Sequence, residues 1–192
     1  MVNFSLDGEL ARIGATLWAE LGRAAHLRDH DWRQAVMATV DADAGPCART
    51  VVLREVDPAT RTLLIYTDTR SPKVQQLGRD PRAELVCWSP RLGWQLRLRC
   101  HVEVSGDGLD VTSRWALLRH TRAAHDYLSP LAPGTALDDV PPAPAAGEAR
   151  TSFGVMHARV LALDWLSLDP AGHRRALFDY RDGPGAARWL AP

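Results

Sequence analysis

The chain has 192 residues, with 23 Lys and Arg balanced by 23 Asp and Glu, and 46% of its residues are hydrophobic. This length and composition are typical of a folded domain with its own core, and the neutral net charge disfavours a nucleic-acid-binding protein. No apolar run is long enough to span a membrane, and the first residues lack the pattern of a secretory signal peptide. We therefore expect a cytoplasmic protein without membrane contact.

The hydrophobic pattern predicts a mainly β chain with a few helices. The predicted elements, in chain order, are a helix within residues 1–30, strands over 35–40, 50–56 and 62–67, a helix from Ser71 to about Gly78 or Asp80, strands over 83–88 and 95–104, a helix from Asp110 toward Tyr127, and strands over 157–168 and 174–180. Residues 129–150 are rich in Pro, Ala and Gly and predict a flexible loop. Short strands joined by tight turns favour a β-barrel or a β-sandwich, and we expect residues 1–192 to form a single domain.

The cysteines give no sign of a metal or disulfide site. Cys47, Cys87 and Cys100 are too far apart in sequence for a metal-binding or redox pair. Cys87 and Cys100 lie in apolar strand-like runs, which predicts two small buried side chains. We expect neither a disulfide framework nor a bound metal.

The stretch from Arg49 to Val104 carries more basic than acidic residues, although the whole chain is neutral. A local excess of cations favours an anionic small ligand, although surface strands also carry Arg for solvation. Within this stretch Ser71 and Pro72 begin a predicted helix, and the only lysine, Lys73, follows them. A helix start offers free backbone N–H groups, so this one predicts a phosphate site; the alternative is an ordinary capped helix with an exposed Lys.

The order of these residues resembles the pyridoxamine 5′-phosphate oxidase-like split-barrel family, which binds flavin mononucleotide (FMN). That family carries an Arg followed five residues later by Lys, then Tyr-Thr, Ser-Arg-Lys, a Gln, and later a Trp with a His eight residues on and an Arg two beyond. The matching residues here are Arg49, Arg54 in place of the Lys, Tyr66, Thr67, Ser71, Lys73, Gln95, Trp165, His173 and Arg175. The resemblance implies a split β-barrel, mainly β with helices, that binds FMN at the interface of a homodimer.

The resemblance also implies roles for these residues. Arg49, Lys73 and Arg175 are the candidates for the dianionic FMN phosphate, which pairs with cations in a fixed geometry. Hydroxyl groups can donate to phosphate or ribityl oxygens, and the Gln can both donate to and accept from the flavin ring edge. The predicted cofactor-binding set is Arg49, Thr50, Val51, Val52, Leu53, Arg54, Tyr66, Thr67, Ser71, Lys73, Gln95, Trp165 and Arg175. The predicted substrate-binding set is Arg54, Trp115, Arg119 and His173, and no catalytic acid or base is identified.

The chain departs from the family where the family holds the phosphate of its substrate. Trp115, Arg119 and Ala123 stand at the family's Tyr, Arg and Ser positions, and Ala171 replaces an Arg two residues before His173. The resemblance therefore implies an FMN-dependent oxidoreductase for a small molecule other than the usual pyridoxamine or pyridoxine phosphate. The alternatives are a true pyridoxamine 5′-phosphate oxidase with a shifted phosphate site, a non-catalytic flavin- or haem-binding protein, and a protein that binds a deazaflavin.

Overall fold

The computed structural model describes residues 4–138, 140, 152–183 and 185–192. In chain order its elements are α1 (Phe4–His26), β1 (Gln34–Asp41), β2 (Gly45–Asp57), β3 (Thr62–Asp68), α2 (Pro72–Arg79), β4 (Arg82–Ser89), β5 (Trp94–Ser105), α3 (Gly108–Leu118), β6 (Phe153–Ser167), β7 (Arg174–Asp179) and β8 (Ala186–Leu190). Two 3₁₀ helices, Asp31–Arg33 and Arg122–Tyr127, precede β1 and follow α3. Among these residues, none of the helices has the length and apolar character needed to cross a membrane.

The strands form one antiparallel sheet in the order β3-β2-β1-β4-β5-β6-β7-β8, and β3 also pairs with β6. This extra pairing closes the strands from β3 to β6 into a barrel, from which β7 and β8 continue the sheet. The long strand β6 makes this split possible, because residues 153–159 pair with β3 and residues 162–167 pair with β7. A register shift against β5 lies between these two halves, where a bulge lets the strand bend. The predicted mainly β barrel with helices is confirmed.

Strand alternation places one face of each barrel strand in a common core. Met37, Leu53, Leu85, Leu98 and Leu163 come from β1, β2, β4, β5 and β6, and all are fully buried. Burying a Leu side chain is worth about 1.5–3 kcal/mol relative to leaving it exposed. The interior of the barrel is therefore packed with side chains, and a ligand has to bind at its ends or on its outer surface.

The first helix covers the barrel on the side of β2. Leu10, Leu17 and Leu21 fall on one helical face and are at most 4% exposed, as their spacing predicts. Leu77 of the short helix α2 is 3% exposed and packs into the same core. Since α2 also contacts β1 and β5, it closes one end of the barrel.

A second, smaller hydrophobic cluster lies where α3 and the second 3₁₀ helix pack against β3 and β6. The sequence predicted one helix from Asp110 toward Tyr127, and this is wrong. α3 begins earlier, at Gly108, and ends at Leu118, whose carbonyl accepts from both the amide and the hydroxyl of Thr121 at 2.8 Å. The chain then continues as the 3₁₀ helix, which places Tyr127 in the second cluster.

The loop after the second 3₁₀ helix and the last strand of the sheet remain to be compared with the predicted elements. Residues 129–138 form neither helix nor strand, in agreement with the predicted loop, whereas 139 and 141–150 of that loop lie outside the described residues. Strand β8 was not predicted. It follows Gly183 and Gly185, whose φ angles of 120° and 113° suit glycine, and it pairs with β7 along its whole length.

Candidate functional site

Arg49 lies on β2 at the end of the barrel that α2 closes. Its Nη1 donates to Thr39 Oγ1 at 2.6 Å and to the carbonyl of Met37 at 3.2 Å, and its Nη2 donates to Gln76 Oε1 at 3.0 Å. All three acceptors are neutral. Burial lowers the pKa of Arg49, and no carboxylate of a described residue contributes to its pKa. The guanidinium is thus held firmly while its charge is left without a counter-ion.

Lys73 lies beside Arg49, in the first turn of α2. Its Nζ donates to Ser71 Oγ at 3.1 Å, and the hydroxyl of Thr67 lies 3.5 Å from the same oxygen. Burial lowers the pKa of Lys73, and the like charge of Arg49 lowers it further, whereas Asp68 raises it. The structure therefore brings together Arg49, Thr67, Ser71 and Lys73, which we call the cation cluster.

The electrostatics of the cation cluster suit a phosphate. Asp68, the carboxylate that acts on Lys73, is bound by Arg70 through bonds of 3.0 and 2.7 Å to its two oxygens. The N-terminus of α2 adds the positive end of a helix dipole. Ser71 is the N-cap residue but makes no side-chain cap bond, so its hydroxyl can serve a ligand. A dianion placed here would relieve the repulsion between two partly desolvated cations.

Thr39 and Gln76 are residues of this site that the sequence reasoning missed. Gln76 is 6% exposed; its Oε1 accepts from the Thr39 hydroxyl at 2.6 Å, and its Nε2 donates to Asp41 Oδ2 at 3.0 Å. Both residues therefore fix the guanidinium of Arg49. Two features of the sequence could have pointed to them: Gln76 lies one turn after Lys73 on α2, and Thr39 lies on the same face of β1 as Met37.

The other predicted cofactor residues of β2 lie on both of its faces. Val51 and Leu53 point into the core and are 7% and 0% exposed, so a ligand could reach only their main-chain atoms. Thr50 is exposed and Val52 is half-buried on the outer face. The assignment of this run to the cofactor stays a prediction.

Gln95 and Arg175 lie on a different surface from the cation cluster. Both are cross-strand partners of Leu166, so they flank it on the outer face of the sheet. Arg175 forms a two-bond ion pair with Asp164, with distances of 2.9 and 2.7 Å. Arg175 therefore already has a counter-ion, and the described chain does not place it next to Arg49.

Trp165 points the other way, into the core. It is 3% exposed and packs edge-on against Trp94, with 5.4 Å between ring centroids, and lies 6.4 Å from the ring of Trp189. Trp165 is therefore part of the hydrophobic core, and its contact with a flavin stays a prediction.

The predicted substrate residues are only partly assembled. Trp115 joins Tyr66, Tyr127 and Phe153 in what we call the aromatic cluster, in which three rings surround Phe153 at centroid distances of 5.1 to 5.3 Å. Arg54 lies at the edge of this cluster, over the ring of Tyr66 at 5.3 Å. Arg119 at the end of α3 and His173 in the turn between β6 and β7 are both exposed. Tyr127 and Phe153 were missed because long-range contacts alone bring them here.

A hydrogen-bonded group beside the aromatic cluster fixes the hydroxyl of Tyr66. This hydroxyl donates to Glu55 Oε1 at 3.1 Å, and Arg114 of α3 binds both oxygens of Glu55 at 2.7 Å. Burial, together with the charge of Glu55, raises the pKa of Tyr66 to about 12. The phenol therefore stays protonated near neutral pH and can act only as a neutral hydrogen-bonding group.

Cys47 lies near enough to Arg49 to act on its pKa, whereas the other two cysteines lie in the core. Cys87 and Cys100 are buried, and burial raises the pKa of Cys87 to about 12 and that of Cys100 higher still. Neither thiol is therefore a nucleophile near neutral pH. Within the described ranges, no three His, Cys, Asp or Glu side chains are arranged to hold a metal ion.

Comparison with known proteins gives a family match. The model described as "Pyridoxamine 5′-phosphate oxidase, FMN-binding domain" matches residues 15–106, which include the whole cation cluster. A pyridoxine/pyridoxamine 5′-phosphate oxidase of Thermosynechococcus vestitus is 42% identical over 67 residues, covering 35% of this chain and 31% of the relative. The matched stretch thus spans about a third of the length of that curated relative.

The similarity to solved structures extends over nearly the whole chain. A pyridoxamine 5′-phosphate oxidase-related, FMN-binding protein of Nostoc punctiforme has a TM-score of 0.73 and 25% identity, and covers 93% of this chain and 96% of its own. PhzG of Burkholderia lata, solved with tetrahydrophenazine-1-carboxylic acid, has a TM-score of 0.64 at 15% identity, covering 95% of this chain and 92% of its own. The second likeness shows the fold alone. Together with the family match, the first confirms the predicted family resemblance and supports FMN as the cofactor.

Proposed function

We propose that this chain, which resembles the pyridoxamine 5′-phosphate oxidase-like FMN-binding split-barrel proteins, is an FMN-dependent oxidoreductase that binds FMN between two copies of itself. The observation that carries the proposal is the cation cluster: Arg49 and Lys73 lie close together at the N-terminus of α2, and none of the described carboxylates is free to neutralise them. FMN is a fitting ligand because its phosphate is close to dianionic at neutral pH.

The residues of the cation cluster would bind the phosphate in different ways. Arg49, fixed by Thr39 and Gln76, presents a rigid guanidinium, and Lys73 adds a second charge. The hydroxyls of Thr67 and Ser71 are 2% and 1% exposed and can donate to phosphate oxygens. When bound, FMN would supply the hydride chemistry, and the chain would position it and exclude water.

The proposed homodimer explains why the predicted cofactor residues form two groups. Gln95 and Arg175 lie on the outer face of the sheet, where Gln95 is the cross-strand partner of Trp88. Trp88 and two outward-facing residues of β1, Val36 and Val40, are 44%, 45% and 49% exposed, so this face presents large apolar side chains among its charged ones. A second copy docked here would bury these side chains and could bring its Gln95 and Arg175 to the FMN held by the first.

The outer face also contains a groove of about 690 Å³, whose lining includes Ala38, Val40 and Leu177 as well as several Arg. Leu177 is two residues from Arg175 on the same face of β7, so the groove continues the surface that Gln95 and Arg175 occupy. This continuity supports the placement of FMN near the dimer interface.

The substrate is proposed to be a small molecule other than pyridoxamine or pyridoxine phosphate. Arg119 and Ala171, at positions where the family binds the substrate's phosphate, are both exposed, and Ala171 carries no charge. We also place the protein in the cytoplasm, since its three cysteines are free and fit a reducing compartment.

The test is FMN retention after desalting, compared between the natural chain and the double variant Arg49→Ala, Lys73→Ala. The variant should lose its flavin while its circular dichroism spectrum stays unchanged. The matched control is Arg12→Ala, Arg28→Ala, which removes two exposed cations elsewhere and should retain FMN. A double variant that keeps its full flavin content would refute the assignment of the phosphate site.

A further inference from the structure

Arg54 occupies a break in the pairing of β2 with β3. Leu53 pairs with Ile65 and Glu55 pairs with the adjacent Leu64, so Arg54 has no partner residue on β3. Such a bulge turns a side chain out of the regular alternation, and bulges are frequent beside active sites. Here it directs the guanidinium over the ring of Tyr66, 5.3 Å from the centroid.

The same guanidinium is tied to a second ring of the aromatic cluster. Burial raises the pKa of Tyr127, and both the charge of Arg54 and a hydrogen bond from Arg54 lower it. Tyr127 and Phe153 are 9% and 1% exposed, whereas Tyr66 and Trp115 are half-buried. The aromatic cluster therefore has a buried floor and a rim of two partly accessible rings, with Arg54 beside it.

Arg54 retains unused binding capacity. Its Nε is buried and has no hydrogen-bond partner among the described residues. Leaving a buried donor unpaired costs free energy, so an acceptor supplied by a ligand would stabilise this side chain. The nearby cations differ in this respect: Arg114 is bound by Glu55, and Arg70 is bound by Asp68.

Arg54 is the guanidinium that lies at the aromatic cluster. Arg33 is near enough to interact with Arg54, but its Nη1 is bound by the carbonyls of Ala24 and Ala25 at the C-terminus of α1, where the negative end of the helix dipole stabilises its charge. Arg119 is exposed and is directed to the ring of His120. A phosphate ester carries about −1.5 to −2 charges at neutral pH and would need more than the guanidinium of Arg54 to balance it. A carboxylate carries one charge and is planar, so it fits the guanidinium fork.

We propose that Arg54 and the aromatic cluster form a pocket for a planar aromatic monocarboxylate, with the carboxylate on Arg54 and the ring against Tyr66 and Trp115. This inference rests on the proposed function, because it names the substrate class of the same flavin site. It also gives a physical reason for the missing phosphate-binding groups of the family: a monocarboxylate does not need them.

The experiment compares two probes that share a ring and differ in charge, benzoate and phenyl phosphate. FMN-loaded protein at pH 7.5 is titrated with each, and binding is followed by the flavin difference spectrum and by calorimetry. Benzoate should bind at least tenfold more tightly than phenyl phosphate. Equal or tighter binding of phenyl phosphate would overturn the proposal.

Variants locate the binding site. Arg54→Gln should weaken benzoate binding at least tenfold, and Arg54→Lys, which keeps the charge but loses the fork, should also reduce the preference for benzoate over phenyl phosphate. The control Arg122→Gln removes an exposed cation at the start of the neighbouring 3₁₀ helix and should bind benzoate like the natural chain. Unchanged benzoate affinity in the folded Arg54 variants would overturn the assignment.

The FMN content of every sample separates this inference from the proposed function. A natural chain that retains no FMN would refute the proposed function itself. A chain that retains FMN but gives neither a spectral change nor heat with benzoate would refute only the pocket.

Discussion

Replacing Lys73 by Met should have opposite effects on the FMN-free fold and on FMN binding. Lys73 is partly buried next to Arg49, and the repulsion between the two charges is part of what lowers its pKa. Met keeps most of the buried length of the side chain and removes the charge. Without FMN the variant should therefore be at least as stable as the natural chain, whereas with FMN it should bind the cofactor more weakly.

The two magnitudes follow from the contacts. A hydrogen bond to a charged group contributes about 1.5–3 kcal/mol, which corresponds to an increase in the Kd for FMN of roughly 10- to 150-fold. Since Lys73 is only half-buried, the gain in the FMN-free protein should stay below about 0.5 kcal/mol, or roughly 1–2 °C in Tm for a chain of this size.

The pH dependence of the free energy of unfolding tests independently whether the charge of Lys73 destabilises the FMN-free fold. Folding lowers the pKa of Lys73 from its ordinary value of 10.5, so the charged ammonium destabilises the folded state. This penalty is fully present below the folded pKa and disappears as the pH rises toward 10.5. Without FMN, the stability of the natural chain relative to Lys73→Met should therefore increase between neutral and alkaline pH.

The assay is urea unfolding with and without FMN, together with an FMN titration. The control is Arg79→Met, at the exposed end of the same helix, which should leave FMN affinity unchanged. An FMN-free Lys73→Met protein that is clearly less stable than the natural chain, yet binds FMN equally well, would show that Lys73 stabilises the fold and does not hold the phosphate.

The remaining predictions concern packing, charge and assembly. Gly154→Ala would place its Cβ 2.6 Å from Thr69 Cγ2 and should lower the free energy of unfolding in urea by about 1–3 kcal/mol. The control Gly22→Ala has open space around it in α1 and should raise this free energy by about 0.5–1 kcal/mol. A Gly154→Ala protein as stable as the natural chain would contradict the close approach of Thr69. The bond to Arg175 lowers the pKa of Asp164, so the ionised carboxylate stabilises the fold above its unfolded pKa, and this contribution is lost as the pH falls. Asp164→Asn should therefore flatten the dependence of the free energy of unfolding on pH below about pH 5. An unaltered pH dependence would show that the ion pair does not contribute to stability. Val36→Glu on the outer face should turn a dimer into a monomer by light scattering, and a persistent dimer would place the interface elsewhere.

Much of the barrel could be predicted because its strands alternate. In β5 the predicted inward residues, Leu96 and Leu98 among them, are fully buried, while Gln95 and Arg97 face outward. The closure of the barrel could not be derived from this pattern. It depends on the pairing of β3 with β6, about ninety residues apart, and nothing local distinguishes that pairing from a sandwich.

The candidate site, too, could be predicted from the sequence only in part. The resemblance assigned Lys73 and Arg49 to one phosphate site; the structure brings the two side chains together, and their role in binding a phosphate stays a prediction. The resemblance also assigned Arg175 to the phosphate, yet in a single chain this side chain pairs with Asp164 on the outer face. The sequence also could not reveal the bulge at Arg54 or the supporting role of Gln76, since both depend on the register between strands and on tertiary contacts.

Cofactor binding and assembly can be measured together, from the absorption spectrum of the purified chain after incubation with FMN and desalting and from the molar mass of the same sample. We expect retained flavin bands at about one FMN per subunit in a particle of twice the chain mass. A colourless protein would refute FMN as the cofactor, and one that also fails to retain a deazaflavin would show that the cation cluster holds no flavin.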